Sequence, residues 1–352
     1  MRYLTNLHTA TLSTLLAASL AVSGLSIDQA DAAEVSFAGK TVAIAHYGGP
    51  GSPGDIWFRQ LGPYLTKHLP GGPKVSYINK PGAGSVMAAN YIYNVLKPNG
   101  LQIGAIAAPG AVESVRGRVK VQFDTTKMGF IGSLTITRVI AYRGDSGIKD
   151  LDTMLNSGKP TLAAVVEGDS IYYDAFYRIM GLKFKKFTAY QGFRGRMQAF
   201  RTGEVGMMPF GHTSWVQRRE GWRKADFHPI FQMGYMDGSG KIVSLKTEGL
   251  DDLMTGHELV KKYKPSAVGG RDWKAMTSIA AGQGTARQFW APPGMPQEYL
   301  ETWRTAFIKV MADPAFKAEQ LKAWGLPATW IPGDQGEKIV KRFLDLNRPG
   351  AF

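Results

Sequence analysis

The chain has 352 residues, of which 44% are hydrophobic and 20% charged, a composition typical of a globular protein and not of a disordered one. The length favours about two domains. There is no cysteine, which excludes disulfides, thiolate metal sites and a lipid anchor on cysteine, and the formal net charge of +14 favours small anions, nucleic acid or a membrane surface as partners.

The first 32 residues are typical of a secretory signal peptide. Arg2 precedes an apolar or small-residue run at 10–25, and Ala30-Asp-Ala32 offers a small-x-small cleavage site. The run is short for a membrane span, so a retained membrane anchor is the less favoured alternative. We therefore expect a cleavable signal peptide at 1–32 and release into the periplasm without a lipid anchor.

Basic runs with aromatic neighbours, Phe193-Arg-Gly-Arg196 and residues 218–224, would fit a nucleic-acid groove or a solvated face. The sequence contains no zinc-finger, RNA-recognition or helix-turn-helix pattern. Together with export, this argues against nucleic acid as a partner, and a basic solvated face that attracts small anions is the simpler interpretation.

Strands and helices alternate along the chain after the signal peptide. Apolar runs of strand length lie at 40–47, 74–79 and 101–107, and apolar residues at helical spacing follow the first two. A strand at 161–166 begins the pattern again, and the C-terminal part is helical from about Gln297. This order predicts an α/β fold with mostly parallel sheets flanked by helices.

Two glycine-rich loops follow the first two strands, at 47–55 and 79–85. Glycine lets a ligand approach the backbone closely, and helix N-termini supply free N–H groups to an anion. We expect Asp55 to cap the first helix, Ser85 the second, and Ser170 a later helix that begins near position 171. Because ligands of open α/β sheets bind beyond the carboxyl ends of the strands, the loops predict an anion site.

The first loop also matches the dinucleotide-binding spacing, as Gly49-x-Gly51-x-x-Gly54. The acidic residue required at the end of the second strand is missing, since Asn79 and Lys80 stand there. Pro50 and Pro53 remove two N–H donors that a pyrophosphate would use. A nucleotide site is therefore disfavoured, and a glycine-rich turn without a ligand stays open as the plainer alternative.

Patterns of known catalytic sites are missing or incomplete. There is no Gly-x-Ser-x-Gly elbow, and His257-Glu-Leu-Val-Lys261 lacks the second histidine of a zinc protease helix. Gly240-Lys241 is followed by Ile242, which breaks the phosphate-binding loop pattern. We expect no catalytic residue, no metal site and no cofactor, and an exported enzyme acting on a carboxylate is a disfavoured alternative.

Six motifs follow one another along the chain: Pro50-Gly-Ser-Pro-Gly-Asp55 with Arg59, Asn79-Lys-Pro-Gly-Ala-Gly-Ser85, Pro98-Asn-Gly-Leu-Gln-Ile103, Glu167-Gly-Asp-Ser170, Ala189-Tyr-Gln-Gly192 and Ala291-Pro-Pro-Gly-Met-Pro296. In this order they resemble the motifs of the substrate-binding proteins of tripartite tricarboxylate transporters, the family of Bug or TctC-like receptors, over nearly the whole chain after residue 32. The chain departs from the family pattern at Ser52, Gly54, Ile78 and Ser85, and in the segment 234–287.

The resemblance implies a two-lobed periplasmic binding protein fold of type II, in which each lobe is a mostly parallel sheet flanked by helices. Residues 33–137 and 289–352 would form lobe 1, and 138–288 lobe 2. The implied function is capture of a small carboxylate, aliphatic or aromatic, by closure of the lobes. The closed monomer would deliver it to the large and small membrane subunits of a tripartite transporter, with a sensor feeding a two-component system as the alternative.

The ligand-binding residues implied by the resemblance come from both lobes. They are Tyr47, Gly51, Ser52, Asp55, Gly82, Ala83, Gly84, Ser85, Asp169, Ser170, Tyr190 and Gly192. Five aromatic residues in or near these loops could stack on an aromatic carboxylate, namely Tyr47, Trp57, Tyr172, Tyr173 and Tyr190. Core packing is the simpler expectation for them, which leaves an aliphatic dicarboxylate equally open.

Overall fold

The computed structural model describes residues 35–116, 121–190, 192–247 and 249–351. The signal peptide expected at 1–32 lies outside the described residues. None of the helices within these ranges has both the length and the apolar character that crossing a bilayer requires.

Strands and helices alternate through most of the described chain. The strands are β1 (Thr41–His46), β2 (Lys74–Asn79), β3 (Gln102–Ala107), β4 (Gly129–Leu134), β5 (Arg138–Arg143), β6 (Thr161–Ala164), β7 (Phe184–Phe187), β8 (Met207–Gly211), β9 (Phe227–Gln232), β10 (Tyr235–Met236), β11 (Ile242–Val243), β12 (Arg287–Ala291) and β13 (Trp330–Pro332). The helices are α1 (Pro53–His68), α2 (Val86–Asn94), α3 (Ala108–Arg116), α4 (Leu151–Asn156), α5 (Glu167–Met180), α6 (Gly192–Thr202), α7 (His212–Lys224), α8 (Gly256–Tyr263), α9 (Arg271–Gly284), α10 (Gln297–Ala312), α11 (Pro314–Trp324) and α12 (Gly333–Asp345). The strands predicted from the sequence correspond to β1, β2, β3 and β6, within two residues at each end.

The first sheet has six strands in the order β13-β4-β12-β3-β1-β2. β1 pairs in parallel with β2 and β3, whereas β12 is antiparallel to β3 and β4, and β13 is antiparallel to β4. Strands β1 to β4 therefore all run in one direction. Helices α1 and α10 cover one face with a core of large apolar side chains, and α2, α3 and α12 cover the other.

The second sheet has five strands in the order β7-β6-β8-β5-β9. β6 is parallel to β7 and β8, and β5 is antiparallel to β8 and β9, so four strands share one direction. Helices α5, α8 and α9 pack on one face, and α6 and α7 on the other. The expected α/β class with two helix-flanked sheets is confirmed. The pairings are mixed, however, because each sheet contains an antiparallel strand where the chain arrives from the other sheet.

Two short crossovers connect the sheets, at 135–137 between β4 and β5 and at 285–286 between α9 and β12. The first crossover is hydrogen-bonded to the end of α9, directly before the second crossover: Thr135 Oγ1 donates to Gly284 O (3.2 Å), and Ile136 N donates to Gln283 O (2.9 Å). Both crossovers join the edge where β1 to β4 end to the edge where β6 to β8 end. The space between these two edges is referred to below as the cleft.

The segment 234–287, which shows no family motif, folds into the β10–β11 hairpin, α8 and α9. Helix α9 packs against α5 beside the second sheet and against α12 beside the first. The divergent segment therefore lies partly between the two sheets.

Candidate ligand-binding cleft

Ser52, and not Asp55, caps α1. The backbone of Ser52 is extended, Pro53 begins the helix, and Ser52 Oγ accepts a hydrogen bond from Asp55 N (3.2 Å). The prediction of Asp55 as the cap is wrong because Pro53, whose φ suits the first helical position, starts the helix two residues earlier. The side chain of Asp55 instead turns back into the loop and accepts from Gly51 N at 2.9 Å.

The Asp55 carboxylate is the centre of a buried polar network. It accepts from Asn79 Nδ2 (2.9 Å) and from Arg59 Nε (3.0 Å), and it lies 3.3 Å from His46 Nε2. Burial alone would raise the pKa of Asp55, but the hydrogen bonds from Arg59, Asn79 and Gly51 outweigh it and hold that pKa well below its ordinary value. Asp55 therefore supports the loop, and its assignment to a ligand stays a prediction.

The backbone donors expected from the first loop are largely used within the loop itself. Gly51 N donates to Asp55, Ser52 N donates to Gly49 O (3.0 Å), and Asp55 N donates to Ser52. The two prolines have no N–H. In the described structure, few amides of this loop, among them those of Gly49 and Gly54, are left to meet a ligand, so an anion needs positive charge from elsewhere in the cleft.

The second loop has four successive residues with positive φ: Gly82 (129°), Ala83 (45°), Gly84 (61°) and Ser85 (83°). Ala83 and Ser85 carry side chains in this left-handed region, which is strained and is found mainly at functional sites. Ser85 Oγ donates to Ala107 O (3.2 Å) and accepts from Ala107 N (3.0 Å). Ser85 stands at the N-cap position of α2, as predicted, but its side chain makes no capping hydrogen bond, because its left-handed backbone turns the hydroxyl toward the end of β3.

The structure brings the two glycine-rich loops together. Asn79 Nδ2 donates to Gly48 O (2.7 Å), and Lys80 N donates to His46 O (2.8 Å). The loops therefore form one wall of the cleft, at the carboxyl ends of β1 and β2. Ser85 joins this wall to the end of β3.

Asp169 lies on the opposite side of the cleft, in the first turn of α5. It lines a cavity of about 110 Å³ together with Ala108 and Pro109 from the first turn of α3. Its Oδ2 accepts from Arg138 Nε at 2.8 Å. The carboxylate of Asp169 is thus paired with a cation of its own chain.

Ser170 and Tyr190 form their side-chain hydrogen bonds with residues on the side of the second sheet. The buried Ser170 Oγ accepts from Lys186 Nζ (3.3 Å), and α5 already begins three residues earlier, so the prediction of Ser170 as a helix cap is wrong. Tyr190 donates its hydroxyl to Glu204, and α6 begins at Gly192. In the described part of the chain, no hydrogen bond connects these residues to the first wall.

Three of the five aromatic residues considered for ligand stacking belong to the cores. Tyr172 and Tyr173 are fully buried beside the second sheet, and Trp57 is 4% exposed beside the first. Core packing, the simpler expectation, is confirmed for these three. Only Tyr47 and Tyr190 remain partly exposed.

Arg287 is a cleft residue that the sequence interpretation missed. It is the first residue of β12 and lies between Ala107 of β3 and Leu134 of β4. Its Nε donates to Tyr47 OH (3.0 Å), and its guanidinium lies over the Trp57 ring, 4.8 Å from the centroid. The side chain is partly buried, and within the described ranges no carboxylate lies at ion-pair distance. The sequence feature that could have indicated this residue is a single arginine at the start of an apolar strand.

Arg287 also borders a cavity of about 90 Å³ at the crossovers. Thr135 and Ile136 line it from the first crossover, and His212 and Thr213 from the first turn of α7. The lining of the cavity therefore includes the Arg287 cation from the first sheet and the N-terminal turn of α7, a helix that packs on the second sheet. This arrangement favours a small anion.

Similar folds occur among solved structures. A TctC solute-binding protein from Polaromonas, without ligand, superposes with a TM-score of 0.65 at 15% identity, covering 87% of this chain and 96% of the other. An adipate-bound protein of Rhodopseudomonas palustris gives 0.58 at 14% identity (86% and 93%), and MatC of the same species with bound malate gives 0.54 at 15% identity (88% and 99%). The chain has the fold of a periplasmic solute-binding protein. Comparisons with protein-family models and with curated proteins gave no match.

Five features of the described chain lie at the two edges that face the cleft. The residues that this chain places there are the two glycine-rich loops, Arg287, and Asp169 with Arg138. Three of these five features were predicted from the sequence, and both arginines were not.

Proposed function

We propose that the chain is a periplasmic receptor that captures a small carboxylate in the cleft. The observation that carries this proposal is Arg287, a partly buried cation at the cleft whose described surroundings provide a hydroxyl and aromatic rings but no carboxylate. Placing a guanidinium out of water is costly unless an anion compensates it, and a bidentate carboxylate is a partner that matches its geometry. The fold, shared with structures solved with malate and adipate, supports the proposal.

Capture would proceed by closure of two lobes, with no covalent step. The lobes expected at 33–137 with 289–352 and at 138–288 would meet at the crossovers 135–137 and 285–286, which form the hinge. Arg287 and Gln288 are moved to lobe 1, because β12 begins at Arg287 in the first sheet. Few residues need to change conformation at such a hinge, because both crossovers are short and the first is hydrogen-bonded to the end of α9, directly before the second. A ligand that contacts both lobes favours the closed state by its differential affinity.

On this proposal the two glycine-rich loops shape the site and Arg287 supplies the charge. Tyr47 OH would hold the guanidinium of Arg287 in place, and the strained turn at 82–85 would keep the backbone of the second loop against the end of β3. The closed monomer would pass the ligand to the membrane subunits of a tripartite transporter after export by the signal peptide at 1–32.

Replacement of Arg287 is expected to weaken carboxylate binding about 10- to 100-fold, since a hydrogen bond to a charged group contributes about 1.5–3 kcal/mol. The variants are Arg287→Met, which removes the positive charge, and Arg287→Lys, which keeps the charge but loses the planar guanidinium that can donate two hydrogen bonds to one carboxylate. The matched control is Arg271→Met, at an exposed arginine that begins α9. Binding is measured by calorimetry and by the rise in Tm of the purified chain with succinate, malate, glutarate, adipate, butyrate, hexanoate and benzoate.

The wild-type chain should bind at least one of these acids at a ratio of one to one. If none of a broad set of mono-, di- and tricarboxylates raises its Tm while nucleotides do, the receptor proposal fails. If a carboxylate binds equally to wild type and to Arg287→Met, the function stands and the assigned anchor is wrong.

A further inference from the structure

A group of positive charges lies outside the cleft, in the turn between α8 and α9. The segment 261–274 contains four lysines and one arginine against one aspartate, in the order Lys-Lys-Tyr-Lys-Pro-Ser-Ala-Val-Gly-Gly-Arg-Asp-Trp-Lys. Every residue from 261 to 271 is exposed except Ala267, which is partly buried. The segment 261–274 is referred to below as the basic turn.

The basic turn has a defined backbone that is anchored to the core. Lys264 N donates to Val260 O (2.8 Å) at the end of α8, and Gly270 N donates to Ala267 O (3.1 Å) before α9 begins. Ala267 and Trp273 pack against the core beside the second sheet. The exposed side chains of the turn are therefore presented from a fixed support.

The positive charges of the basic turn are not compensated within the described ranges. None of its lysines, and not Arg271, lies at ion-pair distance from a carboxylate there, and Asp272 is paired with Arg178 of α5. Glu258, the single acidic residue of α8, accepts from Thr255 N in the capping box at the opposite end of that helix. The turn together with Arg178 thus has six cations and one carboxylate, which leaves five positive charges for a partner.

Two apolar side chains lie exposed among these cations. Tyr263 is 36% exposed and Val268 43%. The ammonium group of Lys262 lies over the Tyr263 ring, 5.0 Å from its centroid. Lysines beside an amphipathic ring and an aliphatic side chain are typical of protein surfaces that lie at the boundary between lipid headgroups and water.

The basic turn lies at the end of α9 that is remote from the cleft. Helix α9 runs antiparallel to α5, because Asp169 in the first turn of α5 lines a cavity with Gln283 at the end of α9, whereas Arg178 near the end of α5 binds Asp272 at the start of α9. The 14 residues of α9, about 20 Å of helix, separate the turn from the crossover at 285–286. A partner on the turn therefore leaves the cleft open.

We propose that the basic turn binds the surface of a bilayer that contains anionic lipids, with Tyr263 and Val268 at the level of the headgroups. The inference goes beyond the proposed function and does not depend on it, since the contact involves neither the cleft nor Arg287. A convex, exposed turn fits a flat surface. Four of its five cations are lysines, which suit a diffuse layer of phosphates, whereas recognition of nucleic acid favours arginine.

The test is co-sedimentation of the chain from residue 33 onward with vesicles of phosphatidylcholine that contain one third phosphatidylglycerol. Residues 1–32 are omitted because a signal peptide would itself bind vesicles, and the cores of both sheets lie after residue 34. The lysine variant combines Lys261→Gln, Lys262→Gln and Lys264→Gln. The matched control removes the same charge at exposed lysines that precede α4, β6 and β7, namely Lys149→Gln, Lys159→Gln and Lys183→Gln.

Wild type should bind these vesicles but not vesicles of phosphatidylcholine alone. The lysine variant should lose about 100-fold in vesicle affinity, since each lysine at an anionic surface contributes about fivefold. The control should lose less than about fivefold, because charges farther than about 10 Å from the surface are screened at 0.1 M salt. A third variant, Tyr263→Ser with Val268→Ser, should lose about tenfold with its charge unchanged.

Each remaining outcome would overturn the proposal. If wild type does not bind the anionic vesicles, the basic turn is not a membrane contact, whatever the carboxylate measurements give. Equal losses in the lysine variant and the control would show that binding follows net charge and not this turn. Duplex DNA is the second probe: if it binds wild type more tightly than the vesicles do and the lysine variant loses that binding, the turn is a nucleic-acid surface. All variants should keep the wild-type Tm, because the substituted side chains are exposed.

Discussion

Lowering the pH from 7 to 4 is expected to unfold this protein. Three buried histidines cause the loss of stability: His46 at the end of β1, His212 at the start of α7 and His257 in α8. Burial lowers the pKa of His46 and of His212 from 6.5 to about 4, and that of His257 to about 3. Below pH 6.5 the three histidines therefore bind protons in the unfolded chain, whereas in the folded chain they stay neutral until a lower pH. The free energy of unfolding falls as the pH falls.

The hydrogen bonds of two of these rings explain why protonation is opposed. His46 Nδ1 accepts from Gly48 N at 3.2 Å, and His212 Nδ1 accepts from Thr137 N at 3.2 Å. A protonated ring nitrogen cannot accept, so charging either histidine breaks the bond that holds the first glycine-rich loop or the crossover. Acid should therefore disturb the cleft before it disturbs the sheets.

The expected magnitude is large compared with the stability of a typical domain. A tenfold change in proton affinity corresponds to about 1.4 kcal/mol, so His46 and His212 would each cost about 3 kcal/mol at pH 4, against a total of roughly 5–15 kcal/mol. The measurement is the free energy of unfolding in urea from pH 7.5 to pH 4.5. A flat profile between pH 6.5 and 5 would contradict the prediction.

A matched pair of variants isolates one histidine. His257 Nε2 lies 3.1 Å from Thr277 Oγ1, and its Nδ1 has no hydrogen-bond partner in the described structure. His257→Leu therefore removes a buried titrating group and breaks few hydrogen bonds. Its stability profile should be less steep by up to about 1.4 kcal/mol per pH unit. His228→Asn, at a side chain that is 30% exposed, should leave the slope close to that of wild type.

Gly110→Ala is expected to destabilise the protein by about 2 kcal/mol and to weaken ligand binding. Gly110 lies in the first turn of α3, where an added Cβ would stand 2.1 Å from Ser85 Oγ and 2.8 Å from Gly84 O. The Ser85 hydroxyl cannot move away freely, because it is bonded to both backbone groups of Ala107. Helix α3 and the turn at 82–85 would have to separate.

The control for Gly110→Ala is Gly221→Ala, in the interior of α7. No atom lies within 4 Å of an added Cβ there, and the residue has no positive φ. Alanine should therefore stabilise that helix by about 0.5–1 kcal/mol. Thermal and urea unfolding of both variants measure the difference, and equal stability of the two would show that α3 does not rest on the strained turn as described.

The order of strands and helices could be predicted from the sequence because it depends on local spacing. Apolar runs of strand length and helical stripes identified β1, β2, β3 and β6, and the two glycine-rich loops were identified as neighbours at strand ends. The capping hydrogen bonds were not predicted correctly, because a cap depends on where the backbone leaves the helical conformation. The first helix starts at Pro53, so that Ser52 and not Asp55 is its cap, and the left-handed backbone of Ser85 turns its hydroxyl toward Ala107.

What the sequence determined by itself is the alternation of elements, the glycine-rich loops and the excess of positive charge. Only the tertiary structure decided which charges face the cleft, because that depends on residues far apart in the chain. Arg287 lies beside Tyr47 since β12 pairs with β3, and Arg138 lies beside Asp169 since the start of β5 meets the first turn of α5. The local spacing of residues carries no information about such pairings. An uncompensated charge costs free energy only where it is buried, and burial exists only in the folded chain.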